Sequence, residues 1–236
     1  MPRVLYRSSL SLLVDPRGAQ RFLNQVLDAV DLESDDPVLG SVDVLDLLPG
    51  PRGDVHIVGP YYSRRSSDTR LLMELASLAW LVNAIKPRLI FEFGTFVGRT
   101  TRLLAMNGGP DAEIYTLDLP LDRVKHEIGE SFRNSPEAHR ITQLHGDSRE
   151  FDFSAWKRRC DFVWVDACHD FDFVRNDSEQ ALALCRPGGW IAWHDYRISA
   201  RWSGVTRYLR ALHRSYPGVR HLRGTTIAVM KKPGDA

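Results

Sequence analysis

From residue 88 onward, short runs of β-branched and aromatic residues alternate with segments of helical or mixed pattern. Runs spaced roughly 15–25 residues apart are typical of βαβ units, in which a crossover helix returns the chain to a parallel neighbouring strand. The pattern predicts strands over residues 89–93, 114–117, 141–144, 162–165 and 190–193. We therefore expect an α/β protein with a mostly parallel sheet between layers of helices.

The end of the chain departs from this alternation. A helical pattern over residues 203–215 precedes two apolar runs, 219–222 and 225–230, which Gly224 separates. So short a connection favours an antiparallel hairpin, because parallel strands need a crossover of about a dozen residues or more. The sequence thus predicts a doubly wound, mostly parallel seven-stranded sheet that closes with a C-terminal antiparallel hairpin.

The first predicted strand runs into a turn that contains two glycines, FEFGTFVGRTT over residues 91–101. Gly94 lets the backbone turn tightly, and Gly98 lets the next helix start close to a ligand, where its free amides suit an anion. Glu92 lies within a buried strand and needs a partner, which a cationic amino group in a cleft would supply. The spacing differs from the G-x-G-x-x-G of dinucleotide-binding folds, and it also fits an ordinary strand–helix turn that binds nothing.

Two acidic residues follow the next two predicted strands. Asp118 ends the second strand, where a carboxylate can accept hydrogen bonds from both hydroxyls of a ribose. Asp147 follows the third strand in the sequence HGDS, where it would meet an adenine amino group with Ser148 beside it. Either acid alone would most simply be a helix N-cap. Their common position at strand ends, beyond a glycine turn, favours a nucleoside site.

In this order the motifs resemble those of class I S-adenosylmethionine-dependent methyltransferases, and most closely the small-molecule O-methyltransferases of the sugar and natural-product branch. The residues that carry the resemblance are 92–98 (EFGTFVG), 118, 146–148 (GDS), 165–171 (VDACHDF), 186–196 (RPGGWIAWHDY), 204–205 and 224–229. The resemblance covers about residues 88–231. It implies a Rossmann-like fold and the transfer of a methyl group from S-adenosylmethionine to a hydroxyl of a sugar or natural product.

The resemblance also implies which residues bind the cofactor. They belong to the glycine turn and to the strand ends beyond it. They are Glu92, Gly94, Thr95, Phe96, Gly98, Asp118, Asp147, Ser148 and Asp166.

Methyl transfer to an alcohol needs a base or a metal ion that helps remove the hydroxyl proton. Asp166, His169 and Asp195 lie at neighbouring strand ends, and we expect them to be catalytic, with His169 as general base because an imidazole exchanges protons near neutral pH. Resemblance to metal-dependent members implies instead a divalent cation such as Mg²⁺, held by Asp166, His194 and Asp195. His194 departs from the all-oxygen set that magnesium prefers. Asp166 as a helix cap and His169 as a surface histidine remain plain structural alternatives.

The resemblance leaves residues 1–65 unexplained. Residues 15–31 have an amphipathic helical pattern, and residues 34–68 are rich in proline, glycine, aspartate and serine, as in a loop or arm. The apolar face of the helix needs covering. We therefore expect an N-terminal helical extension over residues 1–65 that packs on the core or on a second subunit of a homodimer, and an S-adenosylmethionine-binding domain over residues 66–236.

Composition limits the partners. The net charge is +1 and hydrophobic residues make up 43% of the chain, enough for a substantial core. Three cysteines without a CxxC spacing fit a reducing cytoplasm. No apolar run in the sequence approaches the ~20 residues that a membrane helix needs. Arg207, Arg210 and Arg214 share a helical face that is either solvated or binds an anion. We expect a cytoplasmic enzyme with a small-molecule acceptor that carries an anionic group, and no membrane partner.

Three other functions stay open. A nicotinamide-dependent oxidoreductase would share the fold class, but the missing G-x-G-x-x-G and the closing hairpin argue against it. A nucleic-acid methyltransferase would use the basic C-terminal helix, but the low overall charge and the lack of a recognisable RNA-binding module argue against it. A catalytically silent cofactor-binding protein is less consistent with the acids retained at the strand ends.

Overall fold

The structure is a computed structural model that describes residues 31–57, 69–124, 126–197 and 203–234. The predicted helix over residues 15–31 lies outside this part of the chain, except for Asp31, which is helical. None of the helices described combines the length and the apolar character needed to cross a membrane.

Eight strands form one sheet around the five parallel strands that the sequence predicts. In chain order they are β1 (Ser41–Val42), β2 (Leu89–Phe93), β3 (Glu113–Asp118), β4 (Ile141–His145), β5 (Cys160–Val165), β6 (Cys185–Trp193), β7 (Arg220–Leu222) and β8 (Ala228–Lys231). Across the sheet the order is β1-β7-β8-β6-β5-β2-β3-β4. Strands β2 to β6 pair in parallel, whereas β8 is antiparallel to both β6 and β7. The α/β fold and its closing hairpin are confirmed.

The strand order reverses at β2, which pairs with β3 on one side and with β5 on the other. Ligands of doubly wound sheets bind at such a reversal, outside the carboxyl ends of the strands. The residues that follow β2, β3 and β5 therefore face the natural binding crevice of this fold.

Helices cover both faces of the sheet. They are α1 (Val44–Leu47), α2 (Thr69–Ile85), α3 (Arg99–Asn107), α4 (Glu130–Arg133), α5 (Phe171–Leu184) and α6 (Ser203–Leu212). The strand side chains alternate between two buried clusters, because successive residues of a strand point to opposite faces. Ile90 packs with the residues of α2 and α3, and Phe91 packs with those of α5 and α6. Trp164 and Trp193 are buried in these clusters, as their alternation with apolar neighbours predicts.

The eighth strand was not expected, and it comes from the N-terminal extension. β1 pairs in parallel with β7, so that Ser41 lies opposite His221 and Val42 opposite Leu222. A two-residue strand within a segment rich in proline and glycine has no pattern of its own, which is why the sequence predicts seven strands. Part of the extension therefore belongs to the sheet, and a domain boundary at residue 65 stays a prediction.

Two buried asparagines fasten the rest of the described extension to the core. The side chain of Asn83 accepts a hydrogen bond from the Arg52 amide at 2.8 Å and donates one to the Asp54 carbonyl at 2.6 Å. Asn107 pairs in the same way with both backbone groups of His56, at 2.9 and 2.7 Å. Four backbone polar groups of this segment, which has no regular structure, are thus satisfied by side chains at the ends of α2 and α3.

Candidate functional site

The glycine turn lies where the ends of β2 and β5 meet. Gly94 has φ of +91°, and a Cβ at this position would lie 2.2 Å from the Asp166 carbonyl oxygen. Gly98 has φ of +77° and precedes α3, and a Cβ there would lie 2.5 Å from a ring carbon of Phe132. Both glycines are thus required by conformation and by space. At Gly98 the close neighbour is a side chain of α4, whereas the sequence predicts close approach to a ligand.

Asp118 binds the backbone of the glycine turn. Its Oδ2 accepts hydrogen bonds from the amides of Thr95 at 3.1 Å and Phe96 at 2.7 Å, and its Oδ1 accepts one from the Leu119 amide at 2.7 Å. Two amides of the turn are therefore bound to a carboxylate of the protein itself, and the amides that the sequence assigns to an anionic ligand are those further on, at the start of α3. Asp118 lies at the carboxyl end of β3, as predicted, and fixes the shape of the turn.

Glu92 is fully buried and its partners are hydroxyl groups. Its Oε2 accepts hydrogen bonds from Thr101 at 2.5 Å and from Thr116 at 2.7 Å. Burial raises the pKa of the Glu92 carboxyl to about 8, against these hydrogen bonds, which lower it. Within the described ranges no hydrogen bond reaches Oε1. The raised pKa favours the neutral form of Glu92 at pH 7, and the two threonines provide partners for one of its oxygens, where the sequence assigns a cation.

A cavity of about 530 Å³ opens at the ends of β2, β3 and β4. We call it the glycine-turn cavity, and its lining includes Gly94, Phe96, Asp118, Leu119, His126, Asp147, Ser148, Asp166, Phe173 and Asp177. Asp147 forms a bidentate pair with Arg149, at 3.0 and 2.6 Å, which holds the pKa of Asp147 near 2. The cavity therefore carries a carboxyl group at each of two neighbouring strand ends, Asp118 after β3 and Asp147 after β4.

A second cavity of about 390 Å³ lies on the other side of the glycine turn. We call it the histidine cavity, and its lining includes Leu71, Leu75, Thr95, Gly98, Arg99, His169, His194 and Asp195. Gly94, Phe96, Asp166 and Ala167 line both cavities. The residues at the ends of β2 and β5 thus form the wall between the two cavities.

Asp166, His169, His194 and Asp195 come together at the histidine cavity, as the sequence predicts for adjacent strand ends. His169 Nε2 lies 2.5 Å from Asp195 Oδ2. His194 Nδ1 lies 3.2 Å from Asp166 Oδ1 and 3.5 Å from Asp195 Oδ1. His194 Nε2 lies 3.3 Å from a carboxylate oxygen of Glu74, on α2.

The contacts of His194 make it a cation. Burial lowers the pKa of an imidazole, but Asp166, Glu74 and Asp195 outweigh this effect and raise the pKa of His194 well above its usual value. Burial likewise raises the pKa of Asp195, while His169 and the charge on His194 bring it below its ordinary value. The cluster therefore has its own positive charge between its carboxylates.

A different histidine is best placed to complete a metal site. The ligand atoms of Asp166, His169 and Asp195 all lie within 4.8 Å of one another. His194, which the sequence assigns to the metal, has both ring nitrogens directed at carboxylates. The geometry thus favours His169 over His194 as the third ligand, and a metal ion stays a prediction.

The structure places the other predicted cofactor residues in three settings. Those that line the glycine-turn cavity are Gly94, Phe96, Asp118, Asp147, Ser148 and Asp166. Thr95 and Gly98 line the histidine cavity, and Glu92 lines neither.

Two buried acids of the site are not among the residues that the sequence predicts. Glu74 binds His194 and also accepts hydrogen bonds from the Thr226 amide at 3.0 Å and hydroxyl at 2.7 Å. Asp177, on α5, lines the glycine-turn cavity, and burial raises its pKa. The available signal for Glu74 is its spacing, since it falls on the same helical stripe as Leu71, Leu75 and Leu78.

One known protein family matches the stretch that supplies most of the lining of both cavities. Residues 91–196 match the family described as a methyltransferase domain. This stretch is similar to a methyltransferase domain and spans a little under half of the chain. It extends from within β2 to the turn after β6 and includes every predicted site residue. No curated protein sequence matches the chain.

Solved structures share the fold of the methyltransferase domain. Cofactor-bound Rv0187 from MTB is 20% identical, with a TM-score of 0.53 over 75% of this chain and 84% of that one. The O-methyltransferase from Bacillus cereus in complex with SAH is 19% identical, with a TM-score of 0.50 over 73% of this chain and 84% of that one. At such identities the likeness shows a shared fold.

Proposed function

We propose that this protein transfers a methyl group from S-adenosylmethionine to a hydroxyl group of a small molecule. One observation carries the proposal: the glycine-turn cavity and the histidine cavity meet at Gly94 and Asp166. The first has carboxylates placed for a nucleoside, and the second has an acid–base cluster. A donor in one and an acceptor in the other would approach each other at the shared wall, which is what group transfer requires. The Bacillus cereus O-methyltransferase of the same fold binds SAH.

The residues of the glycine-turn cavity fit the cofactor. Asp118 retains acceptor capacity for ribose hydroxyls beside its bonds to the turn, and Asp147 with Ser148 lies at the end of β4 for the adenine. Asp166 lines the wall shared with the histidine cavity. Gly94 leaves that wall without a side chain, because a Cβ would collide with Asp166. When bound, the cofactor supplies a methyl group on a positively charged sulfur, which these carboxylates suit.

His169 is the proposed general base. Its contact with Asp195 orients the imidazole, as a carboxylate partner does in other acid–base pairs. His194 is the proposed counter-charge, because it keeps Asp166 and Asp195 from repelling each other. In this arrangement His169 accepts the proton of the acceptor hydroxyl within the histidine cavity.

A divalent cation is the alternative to a free base. Asp166, His169 and Asp195 would hold it through two carboxylates and one imidazole, a mixed set that suits magnesium less than an all-oxygen set does. The cation would lower the pKa of the acceptor hydroxyl, and His169 would then be a ligand and could not accept the proton.

The experiment that tests the proposal compares two cofactors on the purified protein. We expect titration calorimetry to show binding of S-adenosylmethionine and none of NAD, and mass spectrometry of ligand released from the protein to detect S-adenosylmethionine or its demethylated product. Binding of NAD alone would support the oxidoreductase. Binding of S-adenosylmethionine without turnover on hydroxylated sugars and natural products would support a silent cofactor-binding protein.

The proposal has three further parts: an anionic group on the acceptor, a homodimer and a cytoplasmic location. Arg207, Arg210 and Arg214 line an open groove of about 630 Å³, which supports an acceptor with an anionic group. Neutralising Arg207 and Arg214 would then raise KM for such an acceptor and leave cofactor affinity unchanged. A homodimer and a cytoplasmic location stay predictions, and light scattering tests the first.

A further inference from the structure

The backbone at Asp195 and at Arg197 is left-handed, a conformation that residues other than glycine rarely adopt. Asp195 has φ of +59° and Arg197 has φ of +64°, and neither is a glycine. Tyr196 lies between them and is fully buried. Left-handed backbone at two such residues persists only where the surroundings hold it. The residue that contacts His169 is thus presented by a strained turn that something else must fix.

The amides of this turn bind the core, where Tyr196 donates to the Thr226 carbonyl at 2.8 Å and Arg197 donates to Thr206 Oγ1 at 2.9 Å, and its side chains bind the N-terminal extension. Tyr196 Oη donates a hydrogen bond to Asp36 Oδ2 at 3.0 Å. Arg197 forms ion pairs with Asp31 at 2.7 Å and with Asp36 at 3.5 Å. The side chains of Asp36 and Arg197 are 0% and 4% exposed, so water does not screen their attraction.

Asp36 is itself held in place. Its Oδ1 accepts hydrogen bonds from the amides of Val38 at 2.8 Å and Leu39 at 2.7 Å, and its own amide donates one to Ser41 Oγ at 2.9 Å. Ser41 begins β1, which pairs with β7 in the sheet. A rigid connection therefore runs from the sheet edge through Asp36 to the turn at Tyr196.

We infer that residues 31–42 are a positioning element of the active site, in which Asp36, through Tyr196 and Arg197, fixes the place of Asp195. The inference rests on the proposed function, because it assigns Asp195 to the proton-transfer cluster. These residues lie about 50 positions before the stretch that matches the methyltransferase domain. The expected consequence is that weakening the Asp36 contacts disturbs the His169–Asp195 pair and leaves the glycine-turn cavity intact.

The smallest change that tests the inference is Tyr196→Phe, which removes the hydroxyl that binds Asp36 and also contacts Arg210. Tyr208→Phe is the matched control, because Tyr208 is a second buried tyrosine on the same side of the sheet. In Tyr196→Phe we expect the imidazole NMR signals of His169 to move and hydrogen exchange of the amides at 195–197 to accelerate about tenfold, as for the loss of a hydrogen bond to a charged group. The dissociation constant for S-adenosylmethionine should stay within about twofold of the wild-type value.

A second pair of variants separates positioning from folding. Arg197→Lys keeps a cation for Asp31 and Asp36, and Arg197→Ala does not. We expect the lysine variant to retain the His169 signals of the wild type and the alanine variant to lose them. Unchanged signals in both Tyr196→Phe and Arg197→Ala would overturn the inference. Wild-type protein that binds no S-adenosylmethionine would overturn the proposed function instead, and the histidine signals would still report on the positioning.

Discussion

The amide of Phe96 donates a 2.7 Å hydrogen bond to Asp118 Oδ2, so the carboxylate proposed to bind the ribose also holds the glycine turn in shape. Removal of this one side chain should therefore weaken the cofactor site in two ways: it withdraws an acceptor from the ribose, and it leaves the amides of Thr95 and Phe96 unpaired.

For Asp118→Ala we expect the binding free energy of S-adenosylmethionine to fall by roughly 1–3 kcal/mol, measured by calorimetry. Asp122→Ala is the control, because Asp122 is an exposed carboxylate nearby on the same loop and should leave the affinity unchanged. An Asp118→Ala variant with wild-type affinity would move the ribose site elsewhere.

Glu92 should make the protein less stable as the pH rises. The folded-state pKa of about 8 lies above the ordinary value of 4.5, so the folded protein holds the proton more tightly than the unfolded chain does. This contribution is fully present below about pH 4.5 and is lost as the pH rises toward 8. We expect the free energy of unfolding to fall by a few kcal/mol across that range, measured by urea denaturation.

Glu92→Gln is the variant that isolates this effect. Glutamine keeps a polar group for Thr101 and Thr116 and cannot ionise, so the pH dependence should flatten and stability at pH 8 should exceed that of the wild type. The exposed Glu150 is the control, since Glu150→Gln should leave the pH dependence as it is. If Glu92→Gln lowers S-adenosylmethionine affinity and leaves the pH dependence unchanged, Glu92 contacts the cofactor instead.

The sequence predicts the strands and the turn because their signals are local. Short runs of β-branched and aromatic residues identify β2 to β6, and the spacing from Gly94 to Gly98 identifies the start of α3. Asp118 and Asp147 follow directly, because the carboxyl ends of parallel strands lie at one edge of the sheet. These parts of the fold and site need no knowledge of distant contacts.

The rest of the site depends on contacts between residues far apart in the chain. Glu74 and His194 are separated by 120 positions, and Asp36 and Tyr196 by 160. No local pattern distinguishes a histidine that binds a metal from one whose two nitrogens face carboxylates. The sequence therefore assigns His194 to a cation site, while in the structure both of its ring nitrogens face carboxylates, which favours the protonated imidazole.

Gly94 offers a test of the wall between the two cavities. In Gly94→Ala the new methyl group would lie 2.2 Å from the Asp166 carbonyl oxygen, at a backbone φ of +91°. We expect a loss of at least about 2 kcal/mol in the free energy of unfolding, together with weaker S-adenosylmethionine binding. Gly218→Ala is the control, because its Cβ would meet only Met230, at 3.9 Å. A stable Gly94→Ala variant with normal affinity would show that the strand ends can separate.

The last prediction distinguishes the free base from the metal ion. Because His194 already supplies a positive charge beside Asp166 and Asp195, we expect turnover to continue in the presence of a chelator. His169→Asn should then reduce kcat by about 10²- to 10⁴-fold, the range for loss of a general base, with S-adenosylmethionine affinity unchanged. The exposed His139 supplies the control, since His139→Asn should retain full turnover. If a chelator abolishes activity and a divalent ion restores it, His169 is instead a metal ligand. In that case Asp166→Asn should abolish binding of the ion, measured by calorimetry. If neither the chelator nor His169→Asn affects turnover, both mechanisms are wrong, and methyl transfer would rest on the positioning of the two substrates alone.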